Sequence, residues 1–200
     1  MNNLALYNAQ ISAGSLLLKE SREVANILLK DPDGKLWYQA ICVDNILQKK
    51  SRATAKRMAR LIRNRLESMP REYLKIVANE SAEVAAQILL GASIKHSRLL
   101  ADFIKKVVKD HLRTFNYQLS LRDWESFLNE CEQIDTSVNN WSESTRKKIG
   151  QVVFRILAEA KYIDSTRSMK ILPVQIFPEV RQYLKETKQT NILEIMEISR

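Results

Sequence analysis

Glycine and proline are scarce in this chain of 200 residues, with four of each. That excludes collagen-like and low-complexity sequence and disfavours a sheet-rich fold, whose tight turns consume glycine. Cysteine is nearly absent. Cys42 and Cys131 share no C-x-x-C spacing, so a disulfide scaffold and cysteine-based metal motifs are excluded, and both read as reduced apolar fillers. No secretory leader is visible. The longest apolar runs, such as Ile88–Ala92, fall far short of the roughly 20 residues that a membrane span needs. These absences predict a cytoplasmic protein that does not associate with membranes. G-x-G-x-x-G, G-x-x-x-x-G-K-[ST] and metal-ligand clusters are missing too, and His96 and His111 have no acid or cysteine in register. The expectation is no cofactor, no metal, no small-molecule substrate and no enzymatic activity.

One further absence organises the rest. Between Lys49 and Leu66 there is no acid, while Lys49, Lys50, Arg52, Lys56, Arg57, Arg60, Arg63 and Arg65 supply eight positive charges. At about 100° per residue, Ala55, Met58, Ala59, Ile62, Leu66 and Met69 share one helical face, and Arg52, Lys56, Arg60 and Arg63 share a neighbouring one. Ser51 is a suitable N-cap, its hydroxyl able to accept from first-turn amides. A solvated surface helix is the bland alternative, but such helices usually intersperse acids for i,i+4 pairing. Nucleic-acid contact is the better expectation, and the net charge of +9 agrees with a polyanionic partner. Further basic islands at 94–113 and 142–170 are separated from the first, and from each other, by acidic stretches.

In chain order, a helix is predicted from about Ser15 to Lys30. Asp31-Pro32-Asp33-Gly34 is a strong turn signal. Its Asp33-x-Lys35 is no nuclease site, because such carboxylates stand on separate strands. A second helix over 35–47 and the capped basic helix complete a helix-turn-helix layout. A short helix over 71–79 leads to a long helical stretch opened by Ser81, with Gly91 the expected break. Ser120-Leu121-Arg122-Asp123 is a capping box for a helix carrying Trp124, Phe127 and Leu128 inward.

A second capped helix follows. With an offset of 91 residues, Ser51, Thr54, Lys56 and Arg57 correspond to Ser142, Thr145, Lys147 and Lys148, so S-x-x-T-x-K-[KR] occurs twice. An approximate internal duplication is expected. Tyr162-Ile163, a polar tip 164–168 and Met169–Leu172 read as a β-hairpin. It is either the wing of a winged helix, with Arg167 and Lys170 meeting phosphates, or an ordinary hairpin closing the core. Pro178 begins another helix, and 192–198 a last one.

The predicted fold is therefore mainly α: two helix-turn-helix-like units joined by a helical middle region, the second with a short β-hairpin wing. The expected boundaries are 1–69, 70–118 and 119–200. The candidate DNA-binding residues are Lys49, Lys50, Ser51, Arg52, Thr54, Lys56, Arg57, Arg60 and Arg63 in the first unit. In the second they are Ser144, Thr145, Arg146, Lys147 and Lys148, with Arg167 and Lys170 on the wing.

Several stretches together resemble the BrxA family of bacteriophage-exclusion (BREX) defence systems. They are Ser51-x-Ala53-Thr54-Ala55-x-Arg57, the run Ile94–Leu100 with Asp102-Phe103, Trp141–Lys147, Gly150–Ala160 and Pro173-Val174. Lys161 stands where the family pattern has glycine, a departure that argues against a left-handed helix cap there. The resemblance implies a non-enzymatic, DNA-binding component of phage defence, working beside a methyltransferase and an ATPase.

Double-stranded DNA is the leading partner. Contacts would be mostly to phosphates, with weak sequence specificity, since base-reading side chains near the helix starts are few. The alternatives are an adaptor or scaffold docking acidic surfaces of other phage-defence proteins, or an RNA binder lacking the usual aromatic-bearing sheet.

Overall fold

Low glycine and proline content leads here to helix after helix, with no strand longer than a single bridge among the described residues. The structure is a computed structural model that describes residues 5–198. The first four and last two positions of the expected terminal units lie outside it. The chain divides into two compact units, one of residues 16–96 and one that joins 5–15 to 97–198.

In the unit of residues 16–96, α1 (Leu18–Leu28), α3 (Arg52–Glu67) and α4 (Glu72–Asn79) pack against α5 (Ala82–His96). α5 is apolar almost all round, and ten of the eleven positions from Val84 to Ile94 are buried, as expected of a core helix. Gly91 lies within it without breaking it. The break comes at Ser97, whose hydroxyl accepts from Leu100 N at 3.4 Å and caps the next helix. Between α1 and α3, α2 (Gly34–Tyr38) is capped by Asp33, which accepts from Leu36 N at 2.7 Å, and continues as a π-turn over Gln39–Val43. Asn45, at φ 48°, then grips Lys49 from both sides. Its side chain accepts from Lys49 N and donates to Lys49 O, each at 3.0 Å.

The other unit is built on one uninterrupted helical run: α6 (Arg98–Phe103), a π-turn over Ile104–Val108, and α7 (Lys109–Arg113). α8 (Leu121–Ile134) opens with the expected capping box, both reciprocal bonds between Ser120 and Asp123 being present. α9 (Glu143–Glu159), α10 (Pro178–Glu186) and α11 (Thr190–Met196) follow. Phe103 anchors the core by meeting Trp124, Phe127 and Phe154 edge-on at centroid distances of 5.4, 5.3 and 5.8 Å, a favoured aromatic geometry. Residues 5–15 are tied to this unit at Tyr7. Its hydroxyl donates to Asp102 Oδ2 at 2.8 Å, and its backbone N–H donates to Asp135 Oδ2 at 2.9 Å.

The hairpin wing is corrected. Ile163 pairs with Ile171 in one antiparallel bridge, and Lys170 turns its other edge to Gln118 in a second. Met169, at φ 55°, ends any ladder, and the tip is organised by Asp164. That carboxylate accepts from Ser165 N at 2.6 Å and Lys170 N at 3.0 Å, and from the Ser168 hydroxyl. The Ser168 bond, with the two backbone donors, holds its pKa below the usual carboxylate range. The segment closes onto residues 117–119 through Ile171 N to Tyr117 O, at 2.8 Å, and Leu119 N to Met169 O, at 3.1 Å. It is a core-closing turn rather than a projecting wing.

The few glycines serve none of the left-handed positions, for no described glycine lies in that region. Helix α9 ends in a Schellman arrangement, with Tyr162 N to Leu157 O at 2.8 Å and Lys161 N to Ala158 O at 3.1 Å. Lys161 sits at φ 62°, so the left-handed cap is present without the glycine. Lys188 after α10 and Phe115 after α7 fill the same role, at φ 56° each.

Candidate nucleic-acid interface

The two recurring openings adopt the same local geometry. At α3, Thr54 N donates to Ser51 Oγ at 3.2 Å, and the Ser51 hydroxyl donates to Thr54 Oγ1 at 2.9 Å. At α9, Thr145 N donates to Ser142 Oγ at 3.2 Å, with the two hydroxyls 2.9 Å apart. The cause is local: a serine in extended backbone accepts from the amide three residues on, which satisfies a first-turn donor. Each cap leaves the first turn of its helix at the surface, where the dipole favours an anion.

Beyond the caps, the two helices diverge. On α3, the apolar stripe of Ala55, Ala59, Leu61, Ile62 and Leu66 is buried. Lys50, Ser51, Arg52, Lys56, Arg57 and Arg60 are exposed, and Thr54 is half-buried. Lys50, Arg52, Arg57 and Arg60 have no ion pair among the described residues. The outermost cations are engaged. Lys49 pairs with Glu20 of α1 at 2.5 Å; burial alone would raise the Glu20 carboxyl, but that hydrogen bond and charge hold it below its usual range. Arg63 pairs with Glu67 at 2.7 Å and lies over the Trp37 ring at 4.8 Å, and Lys56 lies over Tyr38 at 5.4 Å. Arg65 is only 3% exposed and belongs to the interior.

On α9, Arg146 is built into the frame. Its guanidinium donates to Trp141 O at 3.2 Å and Val138 O at 3.1 Å, and it pairs with Glu132 of α8. Its own carbonyl accepts from the indole of Trp124 at 3.2 Å. Lys147 pairs with Glu143 one turn back at 2.5 Å, and this raises the lysine pKa and lowers that of the glutamate. Both are fully exposed, so the pair is weak and yields readily to a stronger anion. Ser144 bonds Ser142 at 3.0 Å and Thr145 is half-buried at the cap. Lys148 is exposed and unpaired among the described residues. Arg167 is exposed on the tip held by Asp164, and Lys170 spends its backbone on the bridges while its side chain is exposed.

The structure thus leaves Arg52, Lys56, Arg57 and Arg60 of one helix exposed, with Lys50 exposed just before its cap. It also adds two aromatic side chains, Trp37 and Tyr38, under cations of that helix. The spacing of cations on α3 does not reveal these rings, which only the packing of α2 brings beneath Lys56 and Arg63.

A family profile described as BrxA matches residues 5–188. A relative from Paramagnetospirillum magneticum named BREX protein BrxA is 39% identical over 193 residues, covering 96% of this chain and 97% of its own. One of the same name from Escherichia coli O9:H4 is 34% identical over 184 residues, covering 92% and 86%. A crystal structure of an uncharacterized protein from Magnetospirillum magneticum superposes with a TM-score of 0.89 at 38% identity, covering 96% of this chain and 99% of that one.

Proposed function

The chain belongs to the BrxA family, and we propose that it serves BREX phage defence as a double-stranded DNA-binding protein acting by binding rather than by catalysis. The observation that carries this is the exposed face of α3, where Lys50, Arg52, Arg57 and Arg60 stand without acid partners beside a capped helix start. Such a face neutralises phosphates, while hydroxyls and first-turn amides fix register. Contacts to phosphates position the protein without carrying sequence information, so affinity is mostly sequence-independent. Other proteins of the defence system are the natural further partners. Among the described residues no helix is long and apolar enough to cross a membrane.

Gel shifts against duplex DNA, single-stranded DNA and RNA at two salt concentrations test this. Duplex retardation that weakens steeply with salt is expected. No duplex shift at low salt would sink the proposal.

Leu36, 59% exposed, and Val43, 54% exposed, on the helical run of α2 and its π-turn favour a second reading, an adaptor surface combining apolar and cationic contacts with an acidic partner protein. It would take first place if a partner of the defence system were captured salt-sensitively while duplex DNA was not.

A further inference from the structure

Five cations of the C-terminal unit lie outside both capped helix starts. Arg98, Lys105, Lys106, Lys109 and Arg113, all on the continuous α6–α7 run, line a cleft of about 710 Å³ together with Tyr7 and with Glu130 and Ile134 of α8. Ile104 and Val108, four apart on one face, are wholly buried, while Lys105 and Lys106 between them are both exposed. The run carries a π-turn over these residues, and π-turns within α-helices concentrate at functional sites. Lys105, Lys109 and Arg113 are spaced four apart and so form a row along the axis.

The acids present do not cancel this charge. Asp102 is committed to the Tyr7 hydroxyl at 2.8 Å and to Arg98 at 3.5 Å. Asp110 and Glu130 also line the cleft, so the lining itself holds five cations against three acids, with Glu194 and Glu197 acting on Lys109 from beyond it. Lys109 donates to the Glu194 carbonyl, whereas Lys105, Lys106 and Arg113 have no ion pair among the described residues. Burial first, and then the charges of Arg113 and Lys105, hold the Lys109 amine below the usual lysine range, against the opposing charges of Glu194 and Glu197. The row repels itself, and an arriving anion relieves that repulsion.

We infer that this cleft binds backbone phosphates of double-stranded DNA, a contact surface of the C-terminal unit separate from the start of α9. It rests on the DNA-binding function proposed above. A nucleic-acid backbone fits better than an acidic protein because Ile134 is the one aliphatic side chain in the lining, and protein interfaces are organised around apolar and aromatic anchors. The cleft also adds cations to a unit whose α9 start has Arg146 spent on the frame.

The test is a salt titration of duplex binding by the full chain, by fluorescence anisotropy, for wild type, K105Q/K106Q/R113Q and R52Q/R57Q/R60Q. All six positions are exposed, and circular dichroism with a thermal melt checks folding. K105Q/K106Q serves as a milder second variant. Each lost phosphate contact lowers the log–log slope by roughly 0.9, so the cleft triple variant should flatten it by about two to three and bind at least tenfold more weakly at low salt. An unchanged slope in both cleft variants, with the α3 variant flattened, overturns the cleft and leaves the function standing. An unchanged duplex slope accompanied by lost binding to poly-glutamate would assign the cleft to an acidic protein and equally overturn it. No duplex binding by wild type overturns both.

Discussion

Gly150 of α9 lies so close to Trp124 of α8 that a β-carbon there would stand 2.7 Å from the indole Nε1 and 2.8 Å from Cδ1. The indole cannot withdraw freely. Its N–H is bonded to Arg146 O at 3.2 Å, and its ring is packed edge-on against Phe103. Glycine at this position is what allows α8 and α9 to approach. Gly150→Ala should therefore destabilise the protein: overpacking costs about 1–3 kcal/mol, more than the roughly 1 kcal/mol that alanine gains in a helix interior. A lowered Tm checks it. A raised Tm would show that the indole has room to move.

Lys161→Gly should act in the opposite direction. Its φ of 62° suits glycine, whereas a side chain there costs on the order of 1–2 kcal/mol. Part of that gain is lost to the larger entropy of a glycine-bearing unfolded chain. A net stabilisation of about 0.5–1 kcal/mol is expected, read as a higher urea midpoint with unchanged m. The exposed side chain has no ion pair among the described residues to forfeit.

Acid should loosen the anchoring of residues 5–15. The backbone N–H of Tyr7 and the Ser137 donors hold the Asp135 carboxyl below its usual range. A depressed carboxylate contributes stability above its unfolded-chain pKa, about 3.9, and loses it as pH falls through the lower folded value. Tm should drop below about pH 4, and Asp135→Asn should show a smaller share of that drop. Identical acid profiles for the two proteins would refute the anchoring role.

What the sequence made legible was local. Ser51, Ser120 and Ser142 announce their helices because capping depends on residues three apart. Most of the buried stripe of α3 follows from spacing alone, but Met58, expected on it, is half-buried, and the burial of Leu61 and Arg65 needs knowledge of their neighbours. What was illegible was long-range. Nothing near Arg146 reveals that its guanidinium would reach Val138 O, Trp141 O and Glu132 rather than face outward. Met169 and Lys170 pair with residues 117–119 as well as with 162–164, and a pattern read along the chain takes that for a simple hairpin. Gly91 suggested a break because glycine is a weak helix former, yet surrounding burial overrode propensity. Lys161 misled in the other direction: the Schellman bonds of α9 hold it left-handed in spite of its side chain.

The two capped helices, alike in sequence, should separate in a binding assay according to what their cations already touch. Arg52, Arg57 and Arg60 are exposed and unpaired among the described residues, so replacing all three by alanine should leave Tm nearly unchanged and flatten the salt slope of duplex binding by about 2.7. Arg146→Ala should do the reverse. It strips charge-assisted donors from two carbonyls and the partner from Glu132, at a cost of about 1.5–3 kcal/mol per such bond before relaxation, while removing no cation that is free to meet a phosphate. Its Tm should fall by several degrees with the slope intact at temperatures where it is folded. Lys148→Ala provides the calibration, being exposed on the same turn region of α9, with an expected slope change of about 0.9 and no loss of Tm. If Arg146→Ala flattened the slope as much as Lys148→Ala, its guanidinium would have to leave the frame on binding. The α9 opening would then be a duplex contact of the same kind as α3.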